Sequence, residues 1–279
     1  KHEYYVMKSL QNVNNYCPHF CKALELVELD ISPNFRDLDN PFEVSHHKYS
    51  IKHDFLLMEY IRGKNLYSLV KRPRIDDRII FSALKHTLCA VQMAQNSINF
   101  THYDLHTGNI IMVPCEEDSV SVFITDKSVT HVPTYGTIPK VIDFGFSFTD
   151  EINHRNILCS LAHTDIGFLS CMHDSHSDAK LFLISLAYES QIHRARSKYF
   201  KLFRKLVRKM YAPLKVDSNS GWDDGYTKLS AIDTVTDLLS DIKPKSQILN
   251  RYSHFSLDII QSMIHFPLRG KSTKQLGTS

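Results

Sequence analysis

Asp104 and Asn109 stand five positions apart in the stretch His102-Tyr103-Asp104-Leu105-His106-Thr107-Gly108-Asn109. A second carboxylate, Asp143, follows thirty-nine positions after Asp104 in Val141-Ile142-Asp143-Phe144-Gly145, where an apolar strand meets a glycine that lets the backbone turn. Phosphoryl transfer needs these groups: a carboxylate to orient the attacking hydroxyl, and hard oxygen ligands to hold Mg²⁺ against phosphates. In that chemistry Asp104 is the catalytic group and Asn109 and Asp143 are the metal ligands.

In this order the two motifs resemble the protein kinase superfamily, whose catalytic loop reads His-Arg-Asp-Leu-x-x-x-x-Asn and whose metal loop reads Asp-Phe-Gly. The resemblance implies an α+β, protein-kinase-like bilobal fold that binds ATP and Mg²⁺ and passes the γ-phosphate to a serine/threonine hydroxyl of a protein substrate. Met58-Glu59-Tyr60-Ile61, followed by Gly63, resembles the hinge, where backbone groups of Glu59 and Ile61 would hydrogen-bond adenine. Glu3 falls where the family's helix glutamate pairs with a phosphate-anchoring lysine; otherwise it is a carboxylate favoured at a helix start. Asp178 resembles the buried aspartate that braces the catalytic loop, with an ordinary helix N-cap as the alternative. The lobes implied are a partial N-lobe over 1–62 and a mainly helical C-lobe over 63–279.

The sequence also departs from that pattern. The family's glycine-rich strand pair and lysine-bearing strand should precede Glu3, so the expectation is a fragment lacking the start of the N-lobe, or else a pseudokinase scaffold. Tyr103 replaces the arginine that reads a phosphorylated activation loop. His106 stands where a lysine usually lies near the γ-phosphate, a form similar to haspin-type and to aminoglycoside- and choline-type kinases, so a small-molecule acceptor is a further alternative. An insert over about 114–140 lengthens the hairpin between the motifs. These changes resemble the divergent kinases of large DNA viruses.

The elements that must position the motifs follow from periodicity. A short helix covers 2–10 and ends before Asn14, Asn15 and Pro18. Residues 23–29 alternate as a half-buried strand, and Phe55–Met58 reads as a buried one. Asp76–Ile98 is a long apolar-periodic helix; Ile110–Val113, Val120–Ile124 and Val141-Ile142 are short strands; further helices are expected at 178–190, 196–211, 226–241 and 254–265.

With 279 residues, 43% hydrophobic and 23% charged, the chain has the composition of a folded globular protein rather than a disordered one. A formal charge of +3 is too mild to indicate nucleic-acid binding. No apolar run approaches the ~18 residues of a membrane span. The six cysteines are scattered, which suits free thiols in a reducing compartment, cytoplasm or nucleus, or a host cell or virion for a viral chain. Cys159, His163, Cys171, His173 and His176 are zinc-type ligands at irregular spacing, and Cys17 with Cys21 forms a weaker pair. Arg194, Arg196, Lys198, Lys201, Arg204, Lys205, Arg208 and Lys209 give one helix a basic outer face. It is either simply solvated or a dock for an acidic partner.

Overall fold

The computed structural model describes residues 1–31, 51–116, 119–124, 129–152, 173–175 and 177–211. Helix α1 (His2–Asn14) runs past residue 10 because Val13 continues the buried face of Val6, Met7 and Leu10. The chain then turns, with Asn14 Oδ1 accepting the Phe20 N–H at 3.1 Å.

Strands β1 (Ala23–Ile31) and β2 (Ile51–Met58) pair antiparallel. The expected burial of Phe55–Met58 and of the apolar positions in 23–29 is met only in part: Ala23 is buried and Leu26, Val27, Phe55 and Leu56 are half-buried, but Leu24 is 60% exposed, Leu29 51%, Leu57 45% and Met58 46%. A bulge between Ala23 and Glu25 leaves Leu24 unpaired and shifts the alternation of side chains along the strand. A two-stranded ribbon packed on α1, moreover, offers that helix a single face.

Beyond the ribbon, Gly63 allows a close backbone approach: a Cβ there would lie 2.3 Å from the Met112 carbonyl oxygen. Strand β3 (Lys64–Asn65) leads into α2 (Leu66–Val70), which Asn65 caps by accepting the Ser68 N–H at 3.0 Å. Helix α3 (Asp77–Ile98) starts at Asp76, whose carboxylate accepts the Arg78 N–H, and stops at Asn99 in the left-handed region. Ile80, Phe81, Leu84, Leu88 and Val91 make α3 the centre of the core.

A single 3₁₀ turn (Thr107–Asn109) enters β4 (Ile110–Pro114), which lies between β3 and β7 (Thr137–Val141) in a three-stranded antiparallel sheet. The insert between the motifs forms its own hairpin, β5 (Val120–Ile124) with β6 (Val129–Pro133). It folds back on α3, where His86 Nε2 meets Ser121 Oγ at 2.8 Å and Ser82 Oγ donates to the Pro133 carbonyl. Helices α4 (Ser177–His193) and α5 (Lys198–Tyr211) complete the described chain, with Phe200 and Phe203 packed on Phe81 at ring-centroid distances of 4.7 and 5.6 Å. The helices expected at 226–241 and 254–265 lie outside the described residues.

The basic face of α5 is smaller than its letters suggest. Arg194, just before it, is buried and gives its guanidinium to the carbonyls of Leu69, Val70, Arg72 and Ile75 and to Asp77, while Arg204 turns inward to the Ser190 carbonyl. Arg196, Lys198, Lys201, Lys205 and Arg208 stay exposed. Taken together the fold is α+β, a few antiparallel strands with helices, compatible with a small bilobal arrangement. Among the described residues no helix is long and apolar enough to cross a membrane.

Candidate active site

Register in the β4–β7 hairpin decides where the polar groups gather. Ile110 pairs with Val141, so Asn109 and Ile142 are the next residues outward, and the Ile142 N–H donates to the Asn109 carbonyl at 3.0 Å. The 102–109 loop and the turn at 143–145 therefore emerge from the same end of one hairpin. The β5–β6 insert leaves from the other end.

Within the loop, Asn109 Nδ2 donates both to the Asp104 carbonyl at 3.0 Å and to Asp104 Oδ2 at 3.1 Å. Two oxygens on the nitrogen settle the orientation of the amide and turn its Oδ1, the atom a cation takes, away from Asp104. His102 is fully buried and accepts the Asp104 N–H through Nδ1 at 3.2 Å, which leaves Nε2 to donate to the Ile142 carbonyl at 3.0 Å. Burial holds this imidazole below its ordinary pKa, so the ring is neutral and ties the two loops together.

Asp178 also lies beneath the loop, fully buried, with Oδ2 accepting the His102 N–H at 2.8 Å and Oδ1 the Tyr103 N–H at 2.9 Å. Burial pushes its carboxyl up to about 7 against those two donors. The capping bond at the start of α4 is made by Asp174 instead, whose Oδ1 accepts the Ser177 N–H at 3.2 Å. Tyr103 and Asp143 both adopt left-handed backbone, φ 65° and 66°, a conformation uncommon outside glycine and held here by the surrounding bonds.

The turn at 143–145 is anchored by Phe144, whose buried ring lies 5.4 Å from His102, 6.3 Å from Phe100 and 6.5 Å from Phe20 between centroids. Glu3 reaches it from α1, with Oε1 accepting the Phe144 N–H at 3.2 Å. Burial raises the Glu3 pKa; the Phe144 N–H works against that and the Asp143 charge adds to it. Among the described residues no lysine pairs with Glu3.

At the segment expected to be a hinge, the Glu59 N–H donates to the Lys22 carbonyl at 2.9 Å, and Glu59 Oε1 accepts both the Lys22 N–H and the Lys140 ammonium. The Glu59 carbonyl and the Ile61 N–H have no hydrogen-bond partner among the described residues. The structure brings together Asp104, Asn109, Asp143 and Glu3, and Glu59 and Ile61 follow the end of β2.

Several contributors escape a reading of the letters. His2 Nε2 meets the Ser147 carbonyl at 2.9 Å, Ser147 Oγ donates to the His102 carbonyl at 3.1 Å, and Thr107 Oγ1 donates to Glu189 Oε1 at 2.5 Å. All three act across long sequence separations, and no local spacing announces them. Burial pushes the Glu189 carboxyl up to about 7.

Among the described residues no three His, Cys, Asp or Glu side chains form a protein-only metal cage. Mg²⁺ asks for less, one or two carboxylates with phosphate oxygens and water completing its shell, and the Asn109 Oδ1 and Asp143 pair is a donor set of that kind. Of the zinc-type ligands only His173 is described, its Nδ1 at 3.1 Å from Thr101 Oγ1; Cys159, His163, Cys171 and His176 lie outside the described residues. Burial pushes the Cys17 and Cys21 thiols up to about 12 and about 11, so without a metal both are protonated.

No protein-family model matches the chain. An uncharacterised protein of Invertebrate iridescent virus 6 is 27% identical over 326 aligned positions, which cover 99% of this chain and 53% of that protein. An uncharacterised protein of Invertebrate iridescent virus 3 is 25% identical over 286, covering 96% and 50%. Both long matches are viral. The chain spans about half the length of these curated relatives. A 93-residue stretch is 34% identical to a third protein, also of Invertebrate iridescent virus 3 and named "Probable kinase 098L", over 33% of this chain and 17% of that protein. That partial likeness hints at a kinase.

Proposed function

We propose that this chain is the core of a protein kinase that transfers the γ-phosphate of Mg-ATP to a serine/threonine hydroxyl. The observation that carries the reading is the hairpin register, which sets Asn109 against Ile142 and so delivers Asp104, Asn109 and Asp143 to one end of β4–β7. The partial likeness to a protein named as a probable kinase supports it.

In this reading Asp104 orients the acceptor hydroxyl and takes up its proton, with its carboxylate steadied by Asn109 Nδ2. Asn109 Oδ1 and Asp143 hold the metal, which when bound offsets charge on the phosphate oxygens. The Glu59 carbonyl and the Ile61 N–H receive adenine, and the lobes meet between 62 and 63. Exposed Arg196, Lys198, Lys201 and Lys205 offer an acidic protein substrate or partner its dock. Buried thiols at Cys17 and Cys21, neither of them in a disulfide, suit the reducing interior of a host cell.

A second reading, a nucleotide- or partner-binding scaffold without chemistry, draws on Glu3, whose carboxylate is held by the Phe144 N–H with no lysine beside it among the described residues. The test is transfer of label from γ-³²P ATP with Mg²⁺ to a casein-like protein and to small alcohols. Protein labelling that falls on the order of 10²- to 10⁴-fold in Asp104→Asn, with ATP binding retained, supports the kinase. Labelled alcohols alone would move the assignment to a small-molecule kinase, and ATP binding without transfer to the scaffold.

A further inference from the structure

One side chain of the loop has a seat built for it. His106 lies at the start of the 3₁₀ turn, and its Nδ1 accepts the Gly108 N–H at 3.0 Å. The seat exists only because residue 108 has no side chain: a Cβ there would lie 2.7 Å from His106 Cε1 and 2.9 Å from Nδ1. A ring nitrogen that accepts a backbone N–H carries no proton of its own, so in the neutral imidazole the hydrogen is on Nε2. That atom faces Asp104 Oδ1 at 3.7 Å, and both side chains are partly open, 31% and 29% exposed.

We propose that His106 is a positioning residue for Asp104, with Gly108 holding the imidazole so that its Nε2–H is presented to Oδ1 while Asn109 Nδ2 holds Oδ2. The inference rests on the kinase reading and adds to it the group that sets the rotation of the hydroxyl-orienting carboxylate. At 3.7 Å the contact is longer than a hydrogen bond. A small change in the Asp104 side-chain torsions is required to close the gap. A carboxylate fixed at both oxygens presents one set of lone pairs to the acceptor, whereas one fixed at a single oxygen swings through several.

Two measurements test this on the full chain. The first needs no activity: long-range ¹⁵N–¹H spectra of the labelled protein, with His106 assigned through His106→Asn, are expected to show the Nε2–H tautomer. Asp104→Asn should then shift Nε2 and leave Nδ1 in place, and Gly108→Ala should abolish the single tautomer. An Nδ1–H tautomer, or an Nε2 indifferent to Asp104→Asn, overturns the proposal.

The second is kinetic. In His106→Asn the amide oxygen can still accept the Gly108 N–H but no donor reaches Asp104. That variant is expected to lose on the order of 10- to 100-fold in kcat with KM for ATP and the melting temperature unchanged. Gly108→Ala should lose as much, and the double variant no more than either. Wild-type kcat in His106→Asn, or additive losses in the double variant, overturns the proposal. A wild-type chain without transfer sinks the kinase reading instead, and the spectra still decide whether His106 and Asp104 are coupled.

Discussion

His102 and His106 use one device twice, each imidazole Nδ1 accepting the N–H two positions further on, from Asp104 at 3.2 Å and from Gly108 at 3.0 Å. The loop thus gets part of its shape from its own side chains, and Asp178, Ser147 and Glu189 support it from distant parts of the chain. Asp178→Ala leaves the His102 and Tyr103 N–H groups buried without an acceptor, at about 1–3 kcal/mol each. A lowered urea midpoint is expected, with Asp178→Asn, which keeps one acceptor oxygen, falling between. Equal midpoints for Asp178→Ala and wild type would show that the bracing contributes nothing. At this scale local spacing puts Asp104 and Asn109 in one short loop, whereas Asp143 joins them only through the β4–β7 register. The letters were silent on Glu189 and Ser147, whose partners lie 82 and 45 positions away.

Between elements, the seam of α3 with the 115–136 insert is built on two buried histidines. His19 Nδ1 meets the Pro139 carbonyl at 2.8 Å, His86 Nδ1 meets the Ser82 carbonyl at 2.9 Å, and the rings lie 5.4 Å apart with Phe123 against both. Burial pushes His19 down to about 4 and His86 down to about 3, with nearby Lys140 and Lys85 adding to the shift. The unfolded chain takes protons near the ordinary 6.5, so between there and about 4 it binds more of them than the folded chain, and this pair's stability is lost as pH falls. Asp178 and Glu189, both raised to about 7, act the opposite way over the same window, because the folded chain holds their protons more tightly. The difference in urea midpoint between wild type and His19→Asn/His86→Gln is therefore expected to change steadily from pH 7 to pH 4.5, at the expense of the wild type. A pH-independent difference would rule out the pair as the source. Arg194 is the other joint: Arg194→Lys cannot serve four carbonyls with one ammonium and should cost about 2–4 kcal/mol in chemical denaturation, close to Arg194→Met. Helical periodicity forecast α5, but it counted Arg194 and Arg204 as surface charge, because nothing in a run of cations says which of them will meet carbonyls.

For the whole molecule, one tie between the β1–β2 ribbon and the remainder is the Glu59 carboxylate, which takes the Lys22 N–H from the ribbon side and the Lys140 ammonium from β7. Both side chains of the pair are largely shielded, 13% and 26% exposed, so the attraction is less screened than at an open surface. Lys140→Met is expected to speed amide exchange at Lys22 and across 59–63 several-fold, with α3 unaffected; unchanged exchange there would show that the pair does not restrain the connection. The helices and most strands were legible from periodicity because a 22-residue amphipathic helix and short apolar runs are strong local signals, whereas β3 and β6 were not expected. The exposure of β1 and β2 was not, since a one-residue bulge reverses the side that alternate residues face and leaves no mark on composition.

The β5–β6 insert sits at the far end of β4–β7 from Asn109 and Asp143, so its length has no bearing on how those two meet. Letters added or removed between Pro114 and Thr137 stretch the interval on paper while the distance in space stays put. A pattern that demands a fixed count between the two motifs would pass over chains built in this way, and a search that scores each motif separately and lets the gap float would retrieve them.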